Sequence, residues 1–132
     1  MKTLTVTVGL PRCGKSTWAN KQGAPIVNPD SIRLALHGQP FISLAEPFVW
    51  AIAKVMVRAL FLAGHDRVIL DATNITRKRR AEWRSEDWTC EFVSFLDVPL
   101  ETCLRRVYSG NIDLIAAIQR QHAELEPIGD DE

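Results

Sequence analysis

The chain has 132 residues, of which 46% are hydrophobic and 24% are charged. This composition suits one globular domain and excludes a disordered or fibrous protein. Sixteen basic and sixteen acidic side chains give a formal net charge of zero, which excludes a strongly basic protein that coats nucleic acid. Five of the acids lie in the last nine residues, so an acidic tail is predicted at about 124–132. The remaining body is mildly basic, which is compatible with an anionic substrate.

Cysteine usage and hydropathy bear on the compartment. Cys13, Cys90 and Cys103 form no CxxC pair and are odd in number, which favours a reducing cytoplasm over a disulfide framework. The first residues lack the layout of a signal peptide, and the longest apolar stretch, 49–62, is interrupted by two basic residues. We expect a cytoplasmic protein without a membrane segment; the oligomeric state stays open.

Periodicity and chain breakers predict strands that alternate with helices along the chain. The predicted strands are 4–8, 26–28, 67–70 and 91–96. The predicted helices are 15–22, 30–37 (with Asp30-Ser31 as a candidate cap), 44–63, a charged surface helix at 78–88, 100–107 and 112–125. This alternation predicts a single α/β domain over 1–132, with a parallel sheet of about four strands between helices on both faces.

A phosphate-binding loop is the most specific motif. Residues 9–16, GLPRCGKS, match G-x-x-x-x-G-K-[ST] between a predicted strand and a predicted helix. In this motif backbone N–H groups cradle a polyphosphate, the lysine (here Lys15) reaches the β- and γ-phosphates, and the hydroxyl of Ser16 binds Mg²⁺. ATP and Mg²⁺ are therefore the predicted cofactors. The predicted nucleotide-binding residues are Gly9, Arg12, Cys13, Gly14, Lys15, Ser16 and Thr17. Cys13 is more simply a small buried residue than a reactive thiol.

An acid and an arginine follow the second predicted strand. Asp30 and Arg33 are three residues apart, so on a helix they share one face and address the same space. At the carboxyl end of a parallel strand, a carboxylate can accept a proton from an attacking hydroxyl. The guanidinium can hold a phosphate in bidentate fashion. The simpler alternative is that Asp30 only caps the helix and Arg33 only pairs with it.

The third predicted strand ends in a second candidate acid. Asp71 closes an apolar run and is followed by Ala72, Thr73 and Asn74. At such a position Asp71 can hold a Mg²⁺-bound water or orient Ser16. Thr73 and Asn74 are candidate substrate ligands.

Basic residues cluster in two places. The run 77–80, RKRR, is interpreted mainly as a solvated helix face, with phosphodiester binding as the alternative. Arg105 and Arg106 precede a Ser-Gly-Asn break, and a lid is predicted at about 105–113. An arginine on such a lid can neutralise charge on a phosphoryl group in transfer, whereas the simpler reading is a complement to the helix C-terminus.

Taken together, these motifs resemble the P-loop kinases of the polynucleotide 5′-kinase type, including the kinase domain of the bacteriophage enzyme. The resemblance runs over nearly the whole chain. The matching segments are 14–19 (GKSTWA), Asp30 with Arg33, 68–74, Arg79-Arg80, 96–99 (LDVP) and Arg106. It implies a three-layer P-loop kinase fold with a short helical lid. Asp30 falls on the family's general base, Arg33 on its arginine for the substrate's 3′-phosphate, and Arg106 on an arginine at the base of the lid.

The chain departs from that family in three respects. The lid is shorter, and the family's second lid arginine falls at Gly110 or is missing, which leaves Arg106, or Arg105, to stabilise the phosphoryl group. The acid before Thr-Asn is Ala72 here, with Asp71 one place earlier. No D-x-D-G-T phosphatase motif is present, so the resemblance implies the kinase half alone.

The predicted reaction is transfer of the ATP γ-phosphoryl group to a hydroxyl. The 5′-OH end of a polynucleotide, DNA or RNA, is the first choice of acceptor, with Lys15, Asp30 and Arg106 as the catalytic residues. A small-molecule kinase acting on a sugar, nucleoside or antibiotic hydroxyl is the second reading, because fold does not fix function. A nucleotide-binding regulatory module with little turnover is the third.

Overall fold

The structure is a computed structural model that describes residues 1–107 and 110–132. In this part of the chain the strands are β1 (Thr3–Val8), β2 (Ile26–Val27), β3 (Arg67–Leu70) and β4 (Thr89–Ser94). The helices are α1 (Lys15–Asn20), α2 (Pro29–His37), α3 (Glu46–Leu62), α4 (Arg77–Ala81), α5 (Leu100–Arg105) and α6 (Ile112–Glu124), with a 3-10 turn at Ser43–Ala45. This order confirms the predicted α/β fold. None of the helices described is long and apolar enough to cross a membrane.

The sheet has the strand order β2-β3-β1-β4, and all of its pairs are parallel. The carboxyl ends of β1, β2 and β3 therefore lie at one edge of the sheet. In the register, Leu70 of β3 lies between Val6 of β1 and Val27 of β2. Segments that are far apart in sequence, after residues 8, 27 and 70, thus begin beside one another.

Both faces of the central strand are covered. Leu4 and Val6 of β1 belong to a core cluster that also contains Val49, Ala53 and Val57 from one face of α3. Thr5 points to the opposite face of the sheet and is buried as well. A second core cluster joins the phosphate loop to α5 and α6 through Leu10, Cys13, Cys103 and Ile118. This second cluster fixes the loop against the end of the chain that carries the predicted lid.

Two predictions of local structure are wrong. The surface helix predicted at 78–88 ends at Ala81, because the chain then turns to bury Trp83 and Trp88 in the core. The cap of α2 is Asn28, whose Oδ1 accepts the N–H of Asp30 at 2.8 Å, and not Asp30-Ser31. Asp30 is therefore inside the first turn, and its carboxylate is not used as the cap.

The basic run and the acidic tail form one contact. Arg80 was expected on a solvated face, but it is fully buried, and it donates from Nε to Glu132 at 2.7 Å. Arg77 pairs with Asp131 at 2.6 Å. The solvated-face interpretation is therefore wrong for Arg80, and the predicted tail folds back onto α4.

Candidate active site

The phosphate loop has a backbone that requires two of its glycines. Gly14 has a φ of +102°, which side-chain-bearing residues rarely adopt. A Cβ on Gly9 would lie 2.7 Å from Cys13 Sγ and 2.9 Å from Phe95 Cβ, so this position packs too closely for any side chain. Arg12 also has a positive φ, of 66°. The loop between β1 and α1 is thus a tight turn that packs closely against Phe95. A turn of this kind leaves its backbone N–H groups available to bind phosphate.

Two cationic side chains reach this loop. Lys15 is buried, and its Nζ donates to the Leu10 carbonyl at 2.6 Å. Arg106 comes from the end of α5, and its Nη1 donates to the Arg12 carbonyl at 3.0 Å. Arg105 instead bonds Thr102 on its own helix. Of the two candidate lid arginines, the structure therefore brings Arg106 to the phosphate loop. The rest of the predicted lid includes Tyr108 and Ser109, which lie outside the described residues.

A hydroxyl and a carboxylate meet beneath the loop. Ser16 Oγ donates to Asp71 Oδ2 at 2.7 Å, and Asn28 Nδ2 donates to the same oxygen at 3.3 Å. Asp71 is buried. Each of the three residues follows a different strand, so parallel pairing of β1, β2 and β3 is what assembles them. The predicted pairing of Ser16 with Asp71 is present in this geometry.

This donor set fits Mg²⁺. A hydroxyl and a carboxylate are hard oxygen ligands, and Mg²⁺ commonly uses one or two carboxylates together with water and substrate phosphates. Among residues 1–107 and 110–132, no group of three or more His, Cys, Asp or Glu side chains could hold a metal ion by itself. Ser16 and Asp71 are thus the residues that would hold Mg²⁺, whose charge would offset that of the nucleotide phosphates.

The turn after β3 is held from inside the molecule. Thr7 Oγ1 donates to the Ala72 carbonyl at 2.8 Å, and Gly9 N–H donates to the Thr73 carbonyl at 2.9 Å. Asn74 has a φ of 45° and is buried, and its Nδ2 donates to the Thr7 carbonyl at 2.9 Å. These bonds fix Asn74 to the phosphate-loop strand. Its role as a substrate ligand, like that of Thr73, stays a prediction.

Asp30 and Arg33 form a network with a third residue. Arg33 Nη1 donates to Asp30 at 2.7 Å, while Nε and Nη2 donate to the two carboxylate oxygens of Glu46 at 2.9 and 2.6 Å. Burial opposes the charge on Arg33, but the bonds to Glu46 and Asp30 outweigh it and raise the pKa of the guanidinium. The side chain of Asp30 is 82% exposed. A bidentate grip on a phosphate by Arg33 would require it to exchange Glu46 for the phosphate.

A cavity of about 640 Å³ opens beside Ser16 and Asp71, between α1, α2 and α3. Its polar walls are those two residues with Asn20, Asn28 and Ser31. The rest of the lining is aliphatic and consists of Ile26, Ile32, Ala35, Leu36, Ile52 and Met56.

Three residues of the site, Asn28, Glu46 and Thr7, were not predicted from the sequence. Asn28 precedes a proline at the helix start, which is an N-cap signal that could have identified it. Glu46 and Thr7 gave no signal, because their partners Arg33 and Ala72 are distant in sequence and only the folded chain brings them together.

Comparisons with solved structures support a kinase-like fold. A chain of the Pnkp1/Rnl/Hen1 complex is similar, with 28% identity and a TM-score of 0.71 over 84% of this chain. A chain of the Pnkp1/Rnl/Hen1 RNA repair complex has 19% identity and a TM-score of 0.67 over 95% of this chain. A sugar kinase from Janibacter sp. HTCC2649 has 23% identity and a TM-score of 0.66 over the whole chain. This chain spans 40% and 46% of the two repair-complex chains and 82% of the sugar kinase chain.

A comparison of the sequence with family models identifies the family of the chain. No curated protein matches the chain. The family model of the AAA domain matches residues 4–109, a segment that includes the phosphate loop, Asp30, Asp71 and Arg106. Because this match covers most of the chain and the fold is that of P-loop kinases, the chain belongs to the AAA domain family and is a P-loop, kinase-like domain.

Proposed function

We propose that the protein transfers the γ-phosphoryl group of ATP to a hydroxyl, with the 5′-OH end of a polynucleotide as the acceptor. Asp30 takes the hydroxyl proton as the acceptor oxygen bonds to the γ-phosphorus, and the bond from that phosphorus to the ADP oxygen breaks. Lys15 and the loop N–H groups bind the phosphates, and Ser16 and Asp71 would hold Mg²⁺. Catalysis of this kind consists of positioning and charge stabilisation.

The contact of Arg106 with the phosphate loop is the observation that carries this proposal. Arg106 lies 94 residues from Arg12 in sequence, yet its Nη1 is 3.0 Å from the Arg12 carbonyl. This contact places a guanidinium from a distant segment at the loop that binds the phosphates. A phosphotransferase uses one to neutralise charge that develops on the transferring group.

The state of Asp30 supports its role as the base. Asn28 caps α2, so the simpler role for Asp30 is already filled by another residue. Asp30 lies in the first turn of α2, which follows β2 at the sheet edge where the phosphate loop lies. Arg33 holds one of its oxygens at 2.7 Å, which leaves the other oxygen for a hydroxyl.

A polynucleotide acceptor has support from sequence similarity. The structure with 28% identity comes from the Pnkp1/Rnl/Hen1 complex, and a chain of the Pnkp1/Rnl/Hen1 RNA repair complex shares the fold. The matching pattern of Asp30 with Arg33 and of 68–74 agrees with the resemblance to polynucleotide 5′-kinases.

The direct test is transfer of labelled γ-phosphate from ATP to 5′-OH oligonucleotides, with DNA and RNA assayed in parallel. Asp30→Asn should bind ATP like the parent and lose about 10²–10⁴-fold in transfer rate, the usual contribution of a general base. Asp66→Asn is the control, because Asp66 is exposed at the opposite edge of the sheet, next to the start of β1. Transfer by Asp30→Asn at the parent rate would refute the assignment of the base.

A small neutral alcohol is the second candidate acceptor, and the cavity favours it. Its described lining contains no lysine or arginine, whereas a polynucleotide channel needs positive charge. The two acceptors differ in salt dependence, because polynucleotide binding weakens steeply as salt rises and binding of a neutral alcohol does not. Acceptor KM measured over a range of salt concentrations therefore separates them.

A further inference from the structure

The cavity lies where an acceptor would meet the γ-phosphate. Ser16 and Asp71, the proposed Mg²⁺ ligands, form part of its wall, and Ser31 of α2 adjoins Asp30, the proposed base. Its volume of about 640 Å³ falls within the range of roughly 300–1,000 Å³ that is usual for small-ligand sites. A group bound here would sit next to the phosphate site, whereas Asp30, which precedes Ser31 in α2, is not among the lining residues.

The charge of the lining selects a neutral occupant. Asp71 is the charged side chain on the described wall, and lysine and arginine are absent from that wall. Arg33 is not part of the lining and is paired with Glu46 and Asp30. A phosphate of the acceptor would find no lysine or arginine on this wall, and a Mg²⁺ held by Ser16 and Asp71 would already be shared with the nucleotide phosphates, so an anionic occupant would lack a cation of its own.

The polar groups of the lining select a ring with a polar edge. The side chains of Asn20 and Ser31 are exposed and make no hydrogen bond within the described residues, so they can bind a ligand edge. Most of the remaining wall is aliphatic, and a thioether such as that of Met56 contacts aromatic rings favourably. A sugar has a hydroxyl on nearly every carbon, and an aliphatic wall would leave several of them unpaired.

We propose that the cavity binds a nucleobase of the acceptor, with the ring faces against the aliphatic wall and the ring edge on Asn20 and Ser31. The base belongs either to a free nucleoside or to the 5′-terminal nucleotide of a polynucleotide. This inference rests on the proposed phosphotransfer only in that it makes the bound molecule the acceptor. Binding of the base itself is a separate property and is measured separately.

The test is equilibrium binding with the donor site filled by Mg²⁺ and a non-hydrolysable ATP analogue. The probes are adenosine, guanosine, cytidine and uridine, with ribose for comparison, and 5′-OH oligonucleotides whose first residue is normal or abasic. Ala35→Phe places a ring inside the cavity from α2, and Ala51→Phe adds the same ring at an exposed position of α3 that does not line it. The free energy of unfolding of both variants is compared with that of the parent, to show that both variants are folded under the conditions of the binding assay.

The expected result is that a nucleoside, or the normal oligonucleotide, binds at least about tenfold more tightly than ribose or the abasic oligonucleotide. Ala35→Phe should remove that preference, while Ala51→Phe keeps it. Binding by nucleosides identifies the small acceptor, and binding by the normal oligonucleotide alone identifies the polynucleotide end. Two results would overturn the inference. The first is that normal and abasic oligonucleotides bind equally and nucleosides bind no more tightly than ribose. The second is that Ala35→Phe leaves the preference for the base unchanged.

The same proteins separate this inference from the proposed function. Base binding by the parent without phosphate transfer would leave the cavity assignment standing and refute the phosphotransfer. If the parent transfers phosphate and neither Ala35→Phe nor loss of the 5′ base changes that transfer, the phosphotransfer stands and the cavity assignment is refuted.

Discussion

Removal of the Glu132 carboxylate should destabilise the protein far more than its place in the acidic tail suggests. Glu132 and Arg80 are 7% and 0% exposed and pair at 2.7 Å, with a second bond of 3.0 Å from Nη2. Loss of one partner from a buried ion pair costs about 3–5 kcal/mol. In Glu132→Ala, Arg80 keeps its bonds to the carbonyls of Asn74 and Pro127. We therefore expect a loss of about 3 kcal/mol in the free energy of unfolding, the lower end of that range.

The same contact predicts a pH dependence. The hydrogen bond from Arg80 lowers the pKa of Glu132 below its ordinary value of 4.5. The unfolded chain therefore binds this proton more readily than the folded one, and the stabilisation is fully present above the ordinary pKa. It is lost as the pH falls through the lowered folded value. The difference in stability between the parent and Glu132→Ala should accordingly shrink below about pH 4.

Denaturation in urea at constant pH measures both effects, through the midpoint at an unchanged slope. Asp131→Ala is the matched control, because Asp131 and its partner Arg77 are 73% and 42% exposed. Exposed pairs contribute little to stability, because water and salt screen their attraction. If Glu132→Ala and Asp131→Ala lower the free energy of unfolding equally at pH 7, then the buried pair does not anchor the tail and the reasoning fails.

Two further predictions concern the phosphate site. Arg106→Ala should lower kcat about 10³-fold with ATP affinity nearly unchanged, as for arginines that act on the transferring group, while Arg105→Ala should have little effect; similar losses in both variants would contradict the role of Arg106. Asp71→Asn should raise the Mg²⁺ concentration needed for half-maximal activity by about 10–100-fold, because Ser16 loses its carboxylate partner. Asp66→Asn is its control, and an unchanged Mg²⁺ requirement in Asp71→Asn would exclude Asp71 from the metal site.

Local sequence signals predicted the elements well where they marked a strand or a turn. The alternation in β1, the glycine turn at Gly14 and the apolar run that ends at Asp71 all lie where they were predicted. Such signals depend on neighbours in the chain, which the sequence contains directly. The helix predicted at 78–88 ends at Ala81, because Trp83 and Trp88 turn into the core and the charged pattern before them did not indicate this.

The partners in two long-range ion pairs are the second feature that the sequence did not predict. The run 77–80 indicated a solvated helix face, and no spacing pattern paired it with the acidic tail at about 124–132. Ion pairs form between residues that the fold brings together, so no spacing rule gave Arg80 with Glu132 or Arg33 with Glu46. In both pairs the carboxylate accepts hydrogen bonds from the guanidinium. While the pair is formed, those N–H groups of Arg80 and Arg33 cannot bind another ligand.

The sequence by itself determined the phosphate loop, the α/β alternation and the identity of the candidate acids, because each depends on short-range pattern. The sequence offered the pairing of Asp71 with Ser16 as one option, and the tertiary structure decided it. The tertiary structure also decided that Arg106, rather than Arg105, reaches the loop. It also decided that a cavity without a lysine or arginine in its described lining lies beside them. Strand order and helix packing set these distances, and they depend on contacts across the whole chain that no local pattern encodes.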